Sequence, residues 1–202
     1  MTDYYQKFKD WFNVRAQYDN TLNDQVLMAG ELAWKHHTGQ SRKFSGLPYF
    51  VHPFEVACRV YNNAGLIHIN YRSDVVAAAL LHDTLEDTQI EEKEIRKCGA
   101  RVLKLVQELT NPSKGSILPR SERKKMDREH LKEVSVEAKF IKIIDRAVNL
   151  RDMAGAEMGF RRKYATESYA LWSECLRDTN KALELELLEQ IILCGGMNDS
   201  RI

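Results

Sequence analysis

The stretch that most constrains this chain is AAALLHDTLEDT, residues 77 to 88. Residues 73 to 86 are apolar nearly all round a helix, the pattern of a central helix enclosed by others. Yet the run ends in His82, Asp83, Glu86 and Asp87. Burying even a neutral polar group without compensation costs about 2–7 kcal/mol, and a charge costs more. Three carboxylates and an imidazole at the end of a core helix therefore need a positive partner.

Elsewhere the apolar positions keep helical spacing. Leu22, Val26, Ala29 and Ala33 recur at helical intervals up to a stop at Gly39. Pro53 suits the first turn of a helix running to about Asn63, with Val56, Ala57, Val60 and Tyr61 inward. Gly99 separates two short helices, the second carrying Val102, Leu103, Val106 and Leu109. Ser135 is the expected cap of a helix through Leu150, and Asp178 of another through Leu193. Residues 38–51 and 110–121, rich in Gly and Pro, are expected loops, with GLPYFV (46–51) a short extended piece. The expectation is an all-α fold, a compact bundle of roughly eight to ten helices. It forms one domain over residues 1–202 with its core at about 22–195.

Composition narrows the function classes. With 44% apolar and 29% charged residues the chain is globular rather than disordered. A net charge of +1 gives no global pull toward nucleic acid or anionic membrane. Four widely spaced cysteines without a CxxC pair argue for reduced thiols in a cytoplasmic setting and against a structural zinc site. MTDYYQKFKDWF lacks the apolar stretch of a signal peptide, and no run approaches the ~18 apolar residues of a membrane span. The basic residues of segment 114–132 alternate with acids, which favours a solvated helix face, or a lid steering an anionic substrate, over nucleic-acid binding.

The acidic helix end has the chemistry of a metal site. Residues three and four apart share a helix face, which aligns His82 with Glu86 and Asp83 with Glu86 and Asp87. Neutral imidazole and carboxylate oxygens are ligands for Mn²⁺, Fe²⁺ or Zn²⁺. Further candidates stand on other helices: His52 in VHPFEV, and Asp145 in FIKIIDRAVNL. Lys142, Asp145, Asn149 and Asp152 make a polar stripe on an otherwise core helix, as beside a cavity or site. His36, His37, His68 and His130 read as surface or cap residues, Tyr169 and Trp172 as core.

The order His52, His82-Asp83, Asp145 resembles the HD superfamily of metal-dependent phosphohydrolases. RKFSGLPYFVHPFEVA, AAALLHDTLEDT and FIKIIDRAVNLRDM are similar to the hydrolase domain of the RelA/SpoT family, above all its stand-alone small alarmone hydrolases, the Mesh1-like group. The resemblance spans about residues 22 to 195, with no synthetase or regulatory domain. It implies an HD-type helical bundle that removes the 3′-pyrophosphate of (p)ppGpp, giving GDP or GTP and pyrophosphate, with Mn²⁺ or another divalent ion as cofactor.

Carried onto matching positions, the resemblance makes His52, His82, Asp83 and Asp145 the ligands, and Glu86 and Asp87 the pair that holds and deprotonates the attacking water. Arg42 would pack on the purine and Lys43 meet phosphate, in keeping with a planar guanidinium and a compact ammonium. Ser45 would lie near ribose or phosphate, with Asn149 facing the nucleoside. KFSGLP is one residue longer than the usual KSGEP of the bifunctional enzymes. NLRDM replaces HNMRT, so Asp152 stands where a base-reading threonine is usual. The group also includes an NADPH 2′-phosphatase activity, which makes a nucleotide phosphatase the second enzymatic reading. A nucleotide- or toxin-sequestering antitoxin is the non-enzymatic one. The expected partner is a small nucleotide, not nucleic acid or membrane, with a homo-oligomer left open.

Overall fold

The structure, a computed structural model, describes residues 3–66 and 71–195, which excludes His68. Among the described residues it is helical, with nine helices of ten residues or more and two of four. They are α1 (Tyr4–Ala16), α2 (Asp24–His36), α3 (Val51–Asn63), α4 (Arg72–Leu81), α5 (Thr84–Asp87), α6 (Glu92–Ile95), α7 (Ala100–Leu109), α8 (Arg120–Glu133), α9 (Val136–Asp152), α10 (Met158–Leu171) and α11 (Lys181–Leu193). The chain divides into two compact units, one holding residues up to Arg42 with Leu47–Thr110, the other Lys43–Gly46 with everything from Asn111 on.

In the first unit α2, α3 and α7 pack around α4. From Ser73 to Leu81 only Asp74 of α4 escapes burial, as its unbroken apolar run requires. The inward residues read from spacing are buried throughout α2 and α7, and in α3 all but Tyr61 are. In α1, Phe8 is fully buried and Phe12 nearly so. Asp3 caps α1 by accepting from the backbone N–H groups of Tyr5 and Gln6, at 3.0 and 3.1 Å. Phe8 packs edge-on against Phe50 and Phe54, and Phe50 against Trp34. This aromatic cluster seats the start of α3, where His52 lies.

The central helix is shorter than 73 to 86. It stops at Leu81, and α5 begins at Thr84. Neither Gly nor Pro causes the break. His82 Nδ1 lies 2.8 Å from the Ala79 carbonyl, and the Thr84 hydroxyl donates to the Leu81 carbonyl at 2.7 Å. Side chains thus take carbonyls that a continuing helix would give to backbone N–H groups. One turn resumes from Asp83, whose carbonyl accepts from the N–H groups of Glu86 and Asp87.

In the second unit α9 packs against α10, α11 and a π-helical turn over Trp172–Leu176. Ser135 caps α9, accepting from Ala138 N–H at 3.3 Å. The cap of α11 is Asn180, not Asp178: its side chain accepts from the N–H groups of Ala182 and Leu183. Asp178 instead has φ +65°, the left-handed turn that leads out of the π-helical segment. Trp172 is half-buried and donates to Glu184 at 3.0 Å. The basic face of α8 is occupied by ion pairs, a two-bond Arg120–Glu167 pair and Arg128–Glu174 among them. Buried Asp127 accepts from the Ser113 N–H, tying the preceding loop to α8. The expected extended piece is a short pairing in which Ser41 bridges Pro48, at the base of the loop that carries Arg42 and Lys43. No helix among the described residues is long and apolar enough to cross a membrane.

Candidate metal centre

His52 stands in the first turn of α3 and His82 just past the end of α4, each 1% exposed. Their Nε2 atoms face each other at 3.2 Å. Asp83 Oδ2 lies 3.1 Å from His82 Nε2 and 3.5 Å from His52 Nε2. Two atoms each about 2.1 Å from one ion stand about 3.0 Å apart at a right angle and about 3.4 Å at the tetrahedral angle. The triangle therefore has the dimensions of a shared ion's ligand set, and the two imidazoles fall within a cluster of metal-ligating atoms.

The protonation pattern supports the same fit. The contact of His82 Nδ1 with the Ala79 carbonyl calls for a ring N–H at Nδ1 and leaves Nε2 with its lone pair. Two buried imidazole nitrogens and a carboxylate oxygen in mutual contact call for positive charge among them. The residues thus fit a divalent cation, with His52, His82 and Asp83 to hold it.

Behind Asp83, the Tyr49 hydroxyl donates to Oδ2 at 2.6 Å and lies 3.5 Å from Asp87 Oδ2. Glu86 is half-buried and Asp87 exposed on α5, directly after His82 and Asp83. His37, read as a surface or cap residue, is the C-cap of α2 but only 2% exposed, and its ring lies tilted by 32° against Tyr49 with centroids 4.6 Å apart. Burial holds its imidazole below the ordinary histidine range, against the opposing pull of its Gln40 contact and of Asp83 and Asp87. The missed signal was present in the sequence: His37 continues the inward stripe of Val26, Ala29 and Ala33.

Arg42 lies with its guanidinium 5.8 Å over the Tyr49 ring. In the second unit Lys43 Nζ sits 4.8 Å over Phe160 and 5.3 Å over Phe44. Ser45 is exposed. Asp145, 4% exposed on α9, lies 3.2 Å from Lys142 Nζ and accepts from Asn149 Nδ2 at 2.6 Å. The polar stripe is therefore an internally bonded row, with Asp152 half-buried at its end.

Comparison with known proteins places this geometry in a family. A family model described as an HD domain matches residues 29–175. The human guanosine-3′,5′-bis(diphosphate) 3′-pyrophosphohydrolase MESH1 is 36% identical over 180 residues, covering 86% of this chain and 96% of that protein. The zebrafish (Danio rerio) MESH1 is 35% identical over 170 residues, covering 82% and 90%. A solved structure described as a metazoan ortholog of SpoT that hydrolyses ppGpp superposes with a TM-score of 0.74 at 30% identity, covering 87% of this chain and 98% of that one. The chain therefore belongs to the HD-domain family and, within it, to the group of the MESH1 pyrophosphohydrolases.

Proposed function

We propose that this chain hydrolyses the 3′-pyrophosphate of (p)ppGpp in a metal-dependent reaction that gives GDP or GTP and pyrophosphate. The observation that carries the reading is the triangle of His52 Nε2, His82 Nε2 and Asp83 Oδ2, with sides of 3.1 to 3.5 Å. It occurs in a chain 36% identical to a relative bearing the name of that activity. Asp145 is the fourth ligand in this reading, supported by its burial and by the family order of His, His-Asp and Asp. Mn²⁺ is the proposed ion, since two imidazoles and carboxylate oxygens suit it. When bound, such an ion neutralises charge on a phosphate oxygen and acidifies a water.

The chain's own side chains carry the remaining chemistry. Glu86 and Asp87 hold the attacking water and take its proton. The water oxygen bonds to phosphorus as the bond from phosphorus to the 3′-oxygen breaks; the 3′-oxygen takes a proton from solvent, and the carboxylate pair returns to solvent the one it removed. Arg42 offers its planar face to the purine and Lys43 its charge to phosphate, with Ser45 toward the ribose or phosphates. Asn149 and Asp152 face the nucleoside. The working unit is one HD-type domain over residues 1–202, supported by a family match that runs through both compact units, and its setting is cytoplasmic.

Purified protein incubated with Mn²⁺ and, in parallel, ppGpp, pppGpp, ppApp and NADPH tests the reading. Pyrophosphate release from ppGpp or pppGpp is expected. Phosphate release from NADPH with no turnover of the alarmones would replace it with a 2′-phosphatase.

A further inference from the structure

We propose that His37, Gln40 and Tyr49 form a positioning bracket that fixes the metal-facing oxygen of Asp83 and ties it to the Asp87 turn. The inference rests on the functional reading above only in taking Asp83 as a metal ligand.

The bracket is a closed set of contacts. Gln40 Nε2 donates to the Asp87 carbonyl at 2.8 Å, which turns its Oε1 toward His37 Nδ1 at 2.7 Å. An amide oxygen accepts only, so the proton of the imidazole stands on Nδ1. The His37 ring packs against the Tyr49 ring at a tilt of 32°, and the Tyr49 N–H donates to the Gln40 carbonyl at 2.9 Å. At the far end the Tyr49 hydroxyl donates to Asp83 Oδ2, the same oxygen that faces both Nε2 atoms.

Two features argue that this arrangement serves the site rather than stability. His37 is 2% exposed, yet its Nε2 has no hydrogen-bond partner among the described residues. A buried imidazole satisfied at one nitrogen costs free energy that an apolar residue would avoid. The Tyr49 hydroxyl also has a single proton for two carboxylates, and the geometry gives it to Asp83, at 2.6 against 3.5 Å. A donor on a ligating carboxylate sets both its orientation and its basicity, and such supporting partners typically change metal affinity or activity about 10–100-fold.

The test is a Mn²⁺ titration by calorimetry, without substrate, of the wild type, Tyr49→Phe, His37→Phe and the double variant. Circular dichroism checks that each variant is folded, and pyrophosphate release is measured in parallel. Tyr49→Phe is expected to weaken Mn²⁺ binding by about 10–100-fold and to lower kcat while leaving the KM for ppGpp unchanged. His37→Phe keeps a ring to pack against Tyr49 but loses the Nδ1 donor, so its loss should lie in the same direction. The double variant should be no worse than Tyr49→Phe alone, because both act through one hydroxyl. Unchanged Mn²⁺ affinity in folded Tyr49→Phe, multiplying effects in the double variant, or no Mn²⁺ binding by the wild type would each overturn the bracket. A wild type that binds Mn²⁺ but does not cleave ppGpp would instead overturn the functional reading, and the titration would still decide the bracket.

Discussion

Gly30→Ala puts the seating of the helices around the candidate metal centre to a direct test. Gly30 lies on the buried face of α2, and a Cβ there would stand 2.1 Å from Cε1 and Cζ of Phe8. Carbon atoms in contact normally stay about 3.5–4.0 Å apart, so one partner must retreat by about 1.5 Å. Phe8 has nowhere to go, being fully buried with rings at 5.7 Å (Phe54), 5.9 Å (Phe50) and 6.4 Å (Trp11). Alanine gains about 0.8–1.0 kcal/mol of helix propensity over glycine. Overpacking costs about 1–3 kcal/mol, and losing the buried ring altogether about 3–5 kcal/mol. Net of the helix gain this leaves about 0–2 kcal/mol if the core absorbs the clash and about 2–4 kcal/mol if the ring is expelled, at about 2–4 °C in Tm per kcal/mol for a chain of this size. Urea unfolding followed by circular dichroism should show a lower midpoint at an unchanged slope. Phe8→Leu makes room, so Phe8→Leu with Gly30→Ala should lose less than the sum of the two single changes. A Gly30→Ala protein at least as stable as the wild type, or strict additivity, would refute the packing argument.

Further outcomes can be checked separately. Glu86→Gln should lower kcat for ppGpp by about 10²–10⁴-fold while Mn²⁺ binding, read by calorimetry, stays as in the wild type. Asp19 has its pKa held near 2, below the usual 3.8, because bonds from Thr21, Arg72 and Tyr61 outweigh the opposing effect of burial. Its stabilisation is thus fully present above pH 3.8 and lost as pH falls toward 2. Solvent screening at this half-open site limits it to about 1 kcal/mol. Acid unfolding of Asp19→Asn should accordingly be less steep than that of the wild type through this range. Asn180→Ala removes the cap of α11 and should cost about 1 kcal/mol in urea unfolding, whereas Asp178→Ala should not cost a cap.

The sequence was most legible where apolar spacing alone decides structure. The inward sets of α2 and α7 follow directly from intervals of three and four. Capping was legible for Ser135 but not for α11, where Asp178 and Asn180 are both good cap formers. The choice between them falls to the end of the π-helical turn, a tertiary feature. The break after Leu81 was hidden because side-chain bonds from His82 and Thr84 make it, not Gly or Pro. At the candidate metal centre the residue types and their order were readable. The orientation of Asp83 Oδ2 toward two imidazoles and a tyrosine hydroxyl was not, because it depends on a loop folding back beside α4.

The interruption between α4 and α5 also divides the backbone into two exchange regimes. Amides of α4 lie among buried apolar neighbours and are released to solvent only when the surrounding helices come apart. The N–H groups of Glu86, Asp87 and Thr88 are held by a single turn on a half-exposed segment, so a small opening suffices to expose them. Deuterium should enter that turn long before it enters the helix preceding it, and binding of a divalent ion at Asp83 should slow the turn selectively.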